Sequence, residues 1–201
     1  MGKGAVTRQK ILEHAVDLAR RVGLEGLSIG RLAEDLRLSK SGLFAHFRSK
    51  EKLQLQVLEA AAAQFVDAVV KPALTAARGE ARLRALFERW LDWTELNARP
   101  GGCLFVAASV ELDDRPGPVR ERLVQLQKDW LDMLAQATRI AVEQGHFRSD
   151  ADPEQLAHDA YGIALAYHHA SRLLRDPKAK KRARQAIESL LRAARRTRRA
   201  S

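Results

Sequence analysis

The sequence has only one cysteine, Cys103, among 201 residues. One thiol cannot form an intrachain disulfide, so a reducing compartment is expected. Aromatic residues make up just 5%, while Ala and Leu abound. That balance favours packed helices over sheets, because Ala and Leu are strong helix formers and sheets prefer β-branched and aromatic residues. No apolar run approaches the roughly 18 residues needed to cross a bilayer. The segment Met1-Gly2-Lys3-Gly4-Ala5-Val6 lacks the apolar core of a signal peptide, and Val6 stands where myristoylation needs Ser or Thr. A cytoplasmic chain with no membrane partner is expected.

Catalytic and metal-binding constellations are also missing. No P-loop, Gly-x-Ser-x-Gly or Cys-x-x-Cys occurs. Glu143 and His146 form one Glu-x-x-His, but a di-iron bundle needs two such pairs and further carboxylates. His168 and His169 are adjacent, so on a helix they point in different directions and do not chelate together. The expectation is no enzyme, no catalytic residues, no metal and no cofactor. Cys103, beside Gly101-Gly102, reads either as a thiol activated near a helix N-terminus or as a buried inert one.

What is present is positive charge. The formal net charge is +10 and the pI is about 10.2. Such an excess points to a polyanion, either nucleic acid or an anionic membrane surface. Much of it sits near the end. There Lys178, Lys180, Lys181, Arg182, Arg184, Arg192, Arg195, Arg196, Arg198 and Arg199 face a single acid, Glu188. Net charge therefore cannot locate a DNA-binding surface. Apolar residues at 46% and charged residues at 30% are an ordinary balance for a packed core.

Nearly every segment repeats with the helical period, and neither a strand of useful length nor an internal repeat is visible. Ile11, Ala15, Leu18 and Val22 stripe a first helix that Gly23 ends. Ser28 caps a short second helix with Ile29, Leu32, Ala33 and Leu36 inward. Ser39 caps a very short third. Ser49 caps a long fourth, without a capping box, because Lys52 stands where an acid or amide would be needed. After Pro72 and Gly79 the pattern restarts. Leu83, Leu86, Phe87, Trp90 and Leu91 mark a fifth helix, stopped at Pro100-Gly101-Gly102, and a sixth runs from about Cys103 to Leu112. The seventh carries Val119, Leu123, Leu126, Trp130, Met133, Leu134, Ala137 and Ile140, with Gly145 at its C-cap. Asp152 caps the eighth, with Pro153 at its first position. A ninth carries Ala183, Ala186, Ile187, Leu190, Leu191 and Ala194.

Two short helices joined at Arg37-Leu38 have the size of a helix-turn-helix, with the first helix as a third packing face. The third helix would enter the major groove by its N-terminal end. Lys40, Ser41, Gly42, Ala45 and His46 face outward by this pattern, and Leu43, Phe44 and Phe47 face inward. Lys40 is placed to reach a guanine edge or a phosphate. Lys50 and Lys52 are phosphate candidates, and Thr7 and Arg8 are backbone contacts from the first helix. The N-termini capped by Ser28 and Ser39 also favour phosphate. His46 reads equally as a phosphate contact or a structural hydrogen bond.

The run from Gly26-Leu27-Ser28-Ile29 through Leu32-Ala33-Glu34-Asp35-Leu36 continues as Leu38-Ser39-Lys40-Ser41-Gly42-Leu43-Phe44-Ala45-His46-Phe47-Arg48-Ser49-Lys50-Glu51-Lys52-Leu53. It resembles the N-terminal signature of the TetR family of transcription regulators. Later in the chain, helix count, helix length and the phrase Asp152-Pro153-Glu154-Gln155-Leu156 are similar. Two positions depart from the family pattern. Ser41, Gly42 and Phe44 are DNA-contact positions by this resemblance, although Phe44 stands where a tyrosine often contacts phosphate, and Gly42 where a hydroxyl residue is common. The resemblance implies an all-α chain of about nine helices. Residues 1–50 would form a three-helix DNA-binding module and residues 51–201 a helical ligand-binding and dimerisation domain with a basic tail. The implied function is a DNA-binding regulator, a repressor released by a small molecule. A ligand-independent dimeric DNA-binding protein is the alternative.

The implied partners are a pseudo-palindromic DNA duplex, a second copy of the chain and an unidentified effector. For the effector, Phe65, Trp90, Trp93, Cys103, Phe105, Trp130, Met133, Tyr161 and Tyr167 are the lining candidates, against a reading of the same residues as plain core. For the dimer, Leu156, Ala160, Ile163, Tyr167, Ala170 and Leu174 alternate four and three residues apart, as in a bundle seam. The ninth helix adds Ile187, Leu190 and Leu191. An intrachain core stripe is the competing reading of that seam.

Overall fold

The computed structural model describes residues 3–96 and 101–195, with side chains from Arg8 onward. Among the described residues the regular elements are helices, apart from one isolated antiparallel bridge, Phe147 to Arg195. The helices are α1 (Lys3–Gly26), α2 (Ile29–Leu36), α3 (Lys40–Phe47), α4 (Lys50–Phe65), α5 (Lys71–Leu74), α6 (Glu80–Leu96), α7 (Leu104–Leu112), α8 (Pro118–Glu143), α9 (Pro153–Arg172) and α10 (Ala179–Ala194). They fall into two compact units. One comprises residues 1–65 and 96–127, the other residues 66–95 and 128–201.

The four caps form as their residue types require. The backbone N–H of Arg31 donates to Ser28 Oγ at 3.1 Å, that of Gly42 to Ser39 Oγ at 3.2 Å and that of Lys52 to Ser49 Oγ at 3.1 Å. Asp152 Oδ1 accepts from the N–H groups of Glu154 and Gln155 at 2.9 and 3.0 Å. Each cap satisfies an amide that a helix start leaves without an intrahelical partner.

The expected long fourth helix is divided. α4 gives way to a π turn over Val66–Val70 before α5. Pro72 explains the widening, because it has no N–H for the residue four back and its ring clashes with that carbonyl. The helical run Lys50–Ala73 has no continuous apolar stretch of bilayer-spanning length but is apolar on average. By length and mean hydropathy, 1.2, it could cross a membrane. Its position argues for a core helix instead: Leu53, Val57, Leu58 and Ala61 are buried and α4 packs against α1.

In the first unit, α1 packs on α4 and α7, and α2 packs on α3. Ile11, Ala15 and Leu18 from α1 join Leu32 from α2, Leu43 and Phe47 from α3, Val57 from α4 and Leu104 from α7 in one apolar cluster. Each fully buried Leu or Phe contributes about 1.5–3 kcal/mol before entropy is counted. The expected stripes of the first two helices lie in this cluster or pack against it. Phe44 does not: it is 55% exposed, while Leu43 and Phe47 are 1% exposed. The inward reading of Phe44 is therefore corrected. The spacing from Leu43 to Phe47 is one helical turn, and Phe44 lies about 100° round from Leu43.

In the second unit α9 and α10 pack closely. Ala157, Ala160 and Ala164 on α9, with Ala179, Ala183 and Ala194 on α10, are buried. Such small residues let two backbones approach. The basic run that faced one acid in sequence meets several in the fold. Lys180 Nζ donates to Asp92 and Glu95 at 3.1 and 2.6 Å, Arg184 to Glu88 at 2.8 Å and Arg195 to Glu80 at 2.6 Å. Arg84 pairs with Glu188 at 2.7 Å. Hydrogen bonds from Arg195 hold the Glu80 carboxyl below the usual range against the effect of its burial, with Arg84 adding to the shift. α6 thus neutralises much of the charge on α10. Arg196, Arg198 and Arg199 lie outside the described residues.

Candidate DNA-binding and effector sites

Two helices can present a reading surface only if the turn between them is sharp and the second is held rigidly. Arg37 supplies the turn in the left-handed region, φ 54°, and the N–H of Leu38 donates to Ala33 O at 2.9 Å. Leu43 and Phe47 then anchor α3 by one face, leaving Lys40, Ser41, Gly42, Phe44, Ala45 and His46 exposed. Gly42 has a local reason: a Cβ there would stand 2.9 Å from Ser39 Oγ and crowd the cap. The ring of His46 lies edge-on to Phe47 with centroids 6.4 Å apart. Lys40 leans over α2, its Nζ 3.9 Å from where a Cβ on Gly30 would be.

The expected phosphate contacts divide. Lys52 is exposed at the start of α4. Lys50 is turned onto the end of α1, where Nζ donates to Glu25 O at 2.6 Å and lies 3.4 Å from Glu25 Oε2. Arg8 donates to Gln56 Oε1 at 2.6 Å. Thr7 lies in α1, with its side chain outside the described residues. A further ion pair ties α1 to α2: Asp35 Oδ2 sits 2.5 Å from His14 Nε2 and 2.9 Å from Arg21.

A polar cluster at the end of α1 went unnoticed in the sequence. α1 breaks at Gly23, φ 78° and ψ 164°. The N–H of Glu25 donates to Glu111 Oε2 on α7 at 3.0 Å. Gln54, buried on α4, donates to Leu24 O at 2.6 Å. Arg115 lies 2.9 Å from Glu25 Oε2. Burial pushes the Glu25 carboxyl up, but Lys50, Gln54 and Arg115 outweigh it and the net shift is downward. The available signal was Gln54 itself, a polar residue on the apolar face of Leu53, Val57 and Leu58.

The expected effector-lining residues lie in different places. In the first unit Phe65 and Phe105 meet edge-on, centroids 6.1 Å apart, and Cys103 is buried at the N-cap of α7. In the second unit Trp90 and Tyr167 meet edge-on at 6.3 Å, Tyr167 Oη donates to Glu95 Oε1 at 3.3 Å, and Trp93 and Trp130 are buried. Tyr161 is half-buried. Burial is the main cause raising the Tyr167 phenol. The second unit also holds an open cavity of about 650 Å³ lined by Leu74, Leu86, Met133, Ala137 and Ile140, with Arg82, Asp129, Asp132, Gln136 and Arg139. Met133 alone of the expected residues lies on it. His146 Nδ1 accepts weakly from the N–H of Glu80 at 3.4 Å.

Residues 11–57 match the family described as bacterial regulatory proteins, tetR family. Residues 79–187, more than half of the chain, match the tetracyclin repressor-like C-terminal domain. The chain belongs to the TetR family. It is a DNA-binding transcription regulator, and α2, the turn and α3 are its helix-turn-helix.

Two curated family members are similar to it. The transcriptional regulator AcuR of Cereibacter sphaeroides is 26% identical over 157 residues, 76% of this chain and 70% of that protein. The HTH-type transcriptional repressor NemR of Escherichia coli is 23% identical over 171 residues, 84% of this chain and 85% of that protein. Among solved structures, AibR in complex with isovaleryl coenzyme A and operator DNA superposes with a TM-score of 0.73. It is 24% identical and covers 90% of this chain and 96% of that one.

The seam expected on α9 and α10 divides by exposure. Leu156, Ala160, Tyr167, Ile187 and Leu191 are each no more than 5% exposed within the protomer, so they are core here. Ile163, Ala170 and Leu190 are half-buried, and Leu174 is 63% exposed. Only these four retain surface for a partner. The alternation of four and three residues marked an apolar stripe without distinguishing an intrachain partner from an interchain one.

Proposed function

We propose that this TetR protein is a homodimeric repressor, acting in the cytoplasm, that a small molecule releases from a pseudo-palindromic operator. The observation that carries the DNA half is the capped α2–turn–α3 unit. It is anchored by Leu43 and Phe47 and presents an exposed face on α3. A two-fold dimer offers two such faces, so the operator has two half-sites about one helical turn apart. Lys52, and Lys50 once it leaves Glu25, neutralise phosphates. Ser41 and Lys40 stand near the groove, and the N-termini at Ser28 and Ser39 take phosphate oxygens. Thr7 and His46 add backbone contacts. DNA reading falls to residues 1–50 and the remaining functions to residues 51–201.

The dimer forms through Ile163, Ala170, Leu174 and Leu190, the seam residues that keep accessible surface. The repressor reading is supported by the NemR likeness, and the effector half by the likeness to AibR, solved with isovaleryl coenzyme A and operator DNA, and by the cavity beside Met133. Of the other expected residues, Trp90, Trp93, Trp130, Tyr161 and Tyr167 lie within the same unit as the cavity, and Phe65, Cys103 and Phe105 within the other. A ligand releases DNA only by binding the DNA-incompetent arrangement more tightly, and DNA then weakens the ligand by the same factor. The experiment is a melting-shift screen of apolar acids and acyl thioesters, followed by titration of each hit with and without bound operator. Hits whose affinity falls when operator is present support the reading. Hits that bind equally in both states refute effector release, and a repressed reporter that rises with protein level refutes repression.

A further inference from the structure

The exposed face of α3 carries few polar side chains besides Ser41. Gly42 has no side chain, and Ser39 Oγ caps the helix. Lys40 leans over Gly30 of α2, and His46 lies edge-on to Phe47. What projects instead is apolar. Phe44 is 55% exposed and Leu38, just ahead of the Ser39 cap, is 47% exposed, while Ala45 beside Phe44 is also exposed. Around them stand exposed cations, Arg37, Lys40, Arg48 and Lys52. A single exposed Phe on a protein surface is unremarkable by itself. An apolar side chain at the centre of the DNA-reading helix, inside a ring of positive charge, fits a polyanion that carries a small apolar group. The major groove offers one such group, the C5-methyl of thymine.

We infer that Phe44, with Ala45 beside it, reads thymine by its methyl group, so that each half-site contains a thymine recognised through apolar contact. The assignment rests on α3 lying in the major groove, as proposed above. Phe44 sits four residues beyond Lys40, about 6 Å along the helix axis. The thymine therefore lies within a base step or two of whatever Lys40 reaches. The phenyl ring can make this contact without a hydroxyl, so the protein exchanges a polar contact for base discrimination.

The test begins with duplexes selected from a random pool by the full-length protein. In the recovered duplex each thymine of one half-site is replaced in turn by uracil, which removes the methyl and keeps every base-pair hydrogen bond. One such replacement is expected to weaken wild-type binding about fivefold, the worth of one buried methyl. Phe44→Ala is expected to bind the thymine and uracil duplexes equally, and Phe44→Tyr to keep the discrimination. Phe44 is exposed, so both variants should fold, and unchanged melting checks this. An enriched motif with no uracil-sensitive thymine, or a Phe44→Ala protein that keeps the full uracil effect, overturns the inference alone. Failure to enrich any motif overturns it together with the proposed function. The ring of cations also suits an anionic bilayer. Phe44-dependent binding to vesicles of phosphatidylserine and phosphatidylcholine, without uracil sensitivity, overturns the inference in favour of a membrane surface.

Discussion

Gly23→Ala tests whether α7 grips the end of α1. Gly23 has φ 78° and ψ 164°, a region open essentially to glycine alone. Forcing alanine there costs about 1–3 kcal/mol of backbone strain. The new Cβ would also stand 2.1 Å from Glu111 Oε1, so the carboxylate must move and the Glu25 N–H loses its charged acceptor. That loss costs a further 1.5–3 kcal/mol or about that. The total is about 2.5–6 kcal/mol. In a Glu111→Ala background the clash and the hydrogen bond are both gone, so Gly23→Ala should cost only the strain. The coupling between the two positions is then about 1.5–3 kcal/mol. Trp90, Trp93 and Trp130 all lie in the second unit and do not report on α1. Amide hydrogen exchange along α1 does, as an opening free energy. Equal costs of Gly23→Ala in both backgrounds would refute the grip.

Three further outcomes follow from the same structure. Lys52→Ala should weaken binding to operator and scrambled DNA alike and lower the salt slope by about one, measured by titration at several salt concentrations; a change in base preference would show that Lys52 reads sequence. Ile163→Asp, on the part of α9 that keeps accessible surface, should dissociate the dimer in sedimentation while the melting of the protomer survives. A dimer that persists would show that this face is not the interface. Glu80 titrates below the ordinary value of 4.5, so its pairing with Arg195 stabilises the second unit fully above that pH and is lost as pH falls through the lower folded value. Acid melts should therefore show a smaller loss in a Glu80→Gln protein than in wild type below pH 4.5, and parallel curves would contradict the role given to Glu80.

Local rules made much of the fold legible in the residues. A serine or aspartate before an apolar stripe marked the starts of α2, α3, α4 and α9, because capping is decided within three residues. Gly145, φ 71°, ends α8 for the same local reason. Legibility failed where two partners compete for one stripe. Leu156 and Leu191 look the same in sequence whether their partner is within the chain or in another copy, and the fold buries them within the chain. Phe44 has the character of a core residue, aromatic and between Leu43 and Phe47, but its angle round α3 points it outward. The cluster of Glu25, Gln54, Glu111 and Arg115 joins residues up to 90 positions apart and has no local pattern. The short α5 was hidden because Pro72 was read only as a break.

The central claim is sequence-specific binding of duplex DNA through α3. Fluorescence anisotropy of the full-length protein decides it, with a duplex selected from a random pool and a scrambled duplex of the same composition, both at physiological salt. A pseudo-palindromic selected site should bind about a thousandfold or more tighter than the scrambled one. Equal affinity for the two duplexes, falling with salt at the same slope, would contradict it.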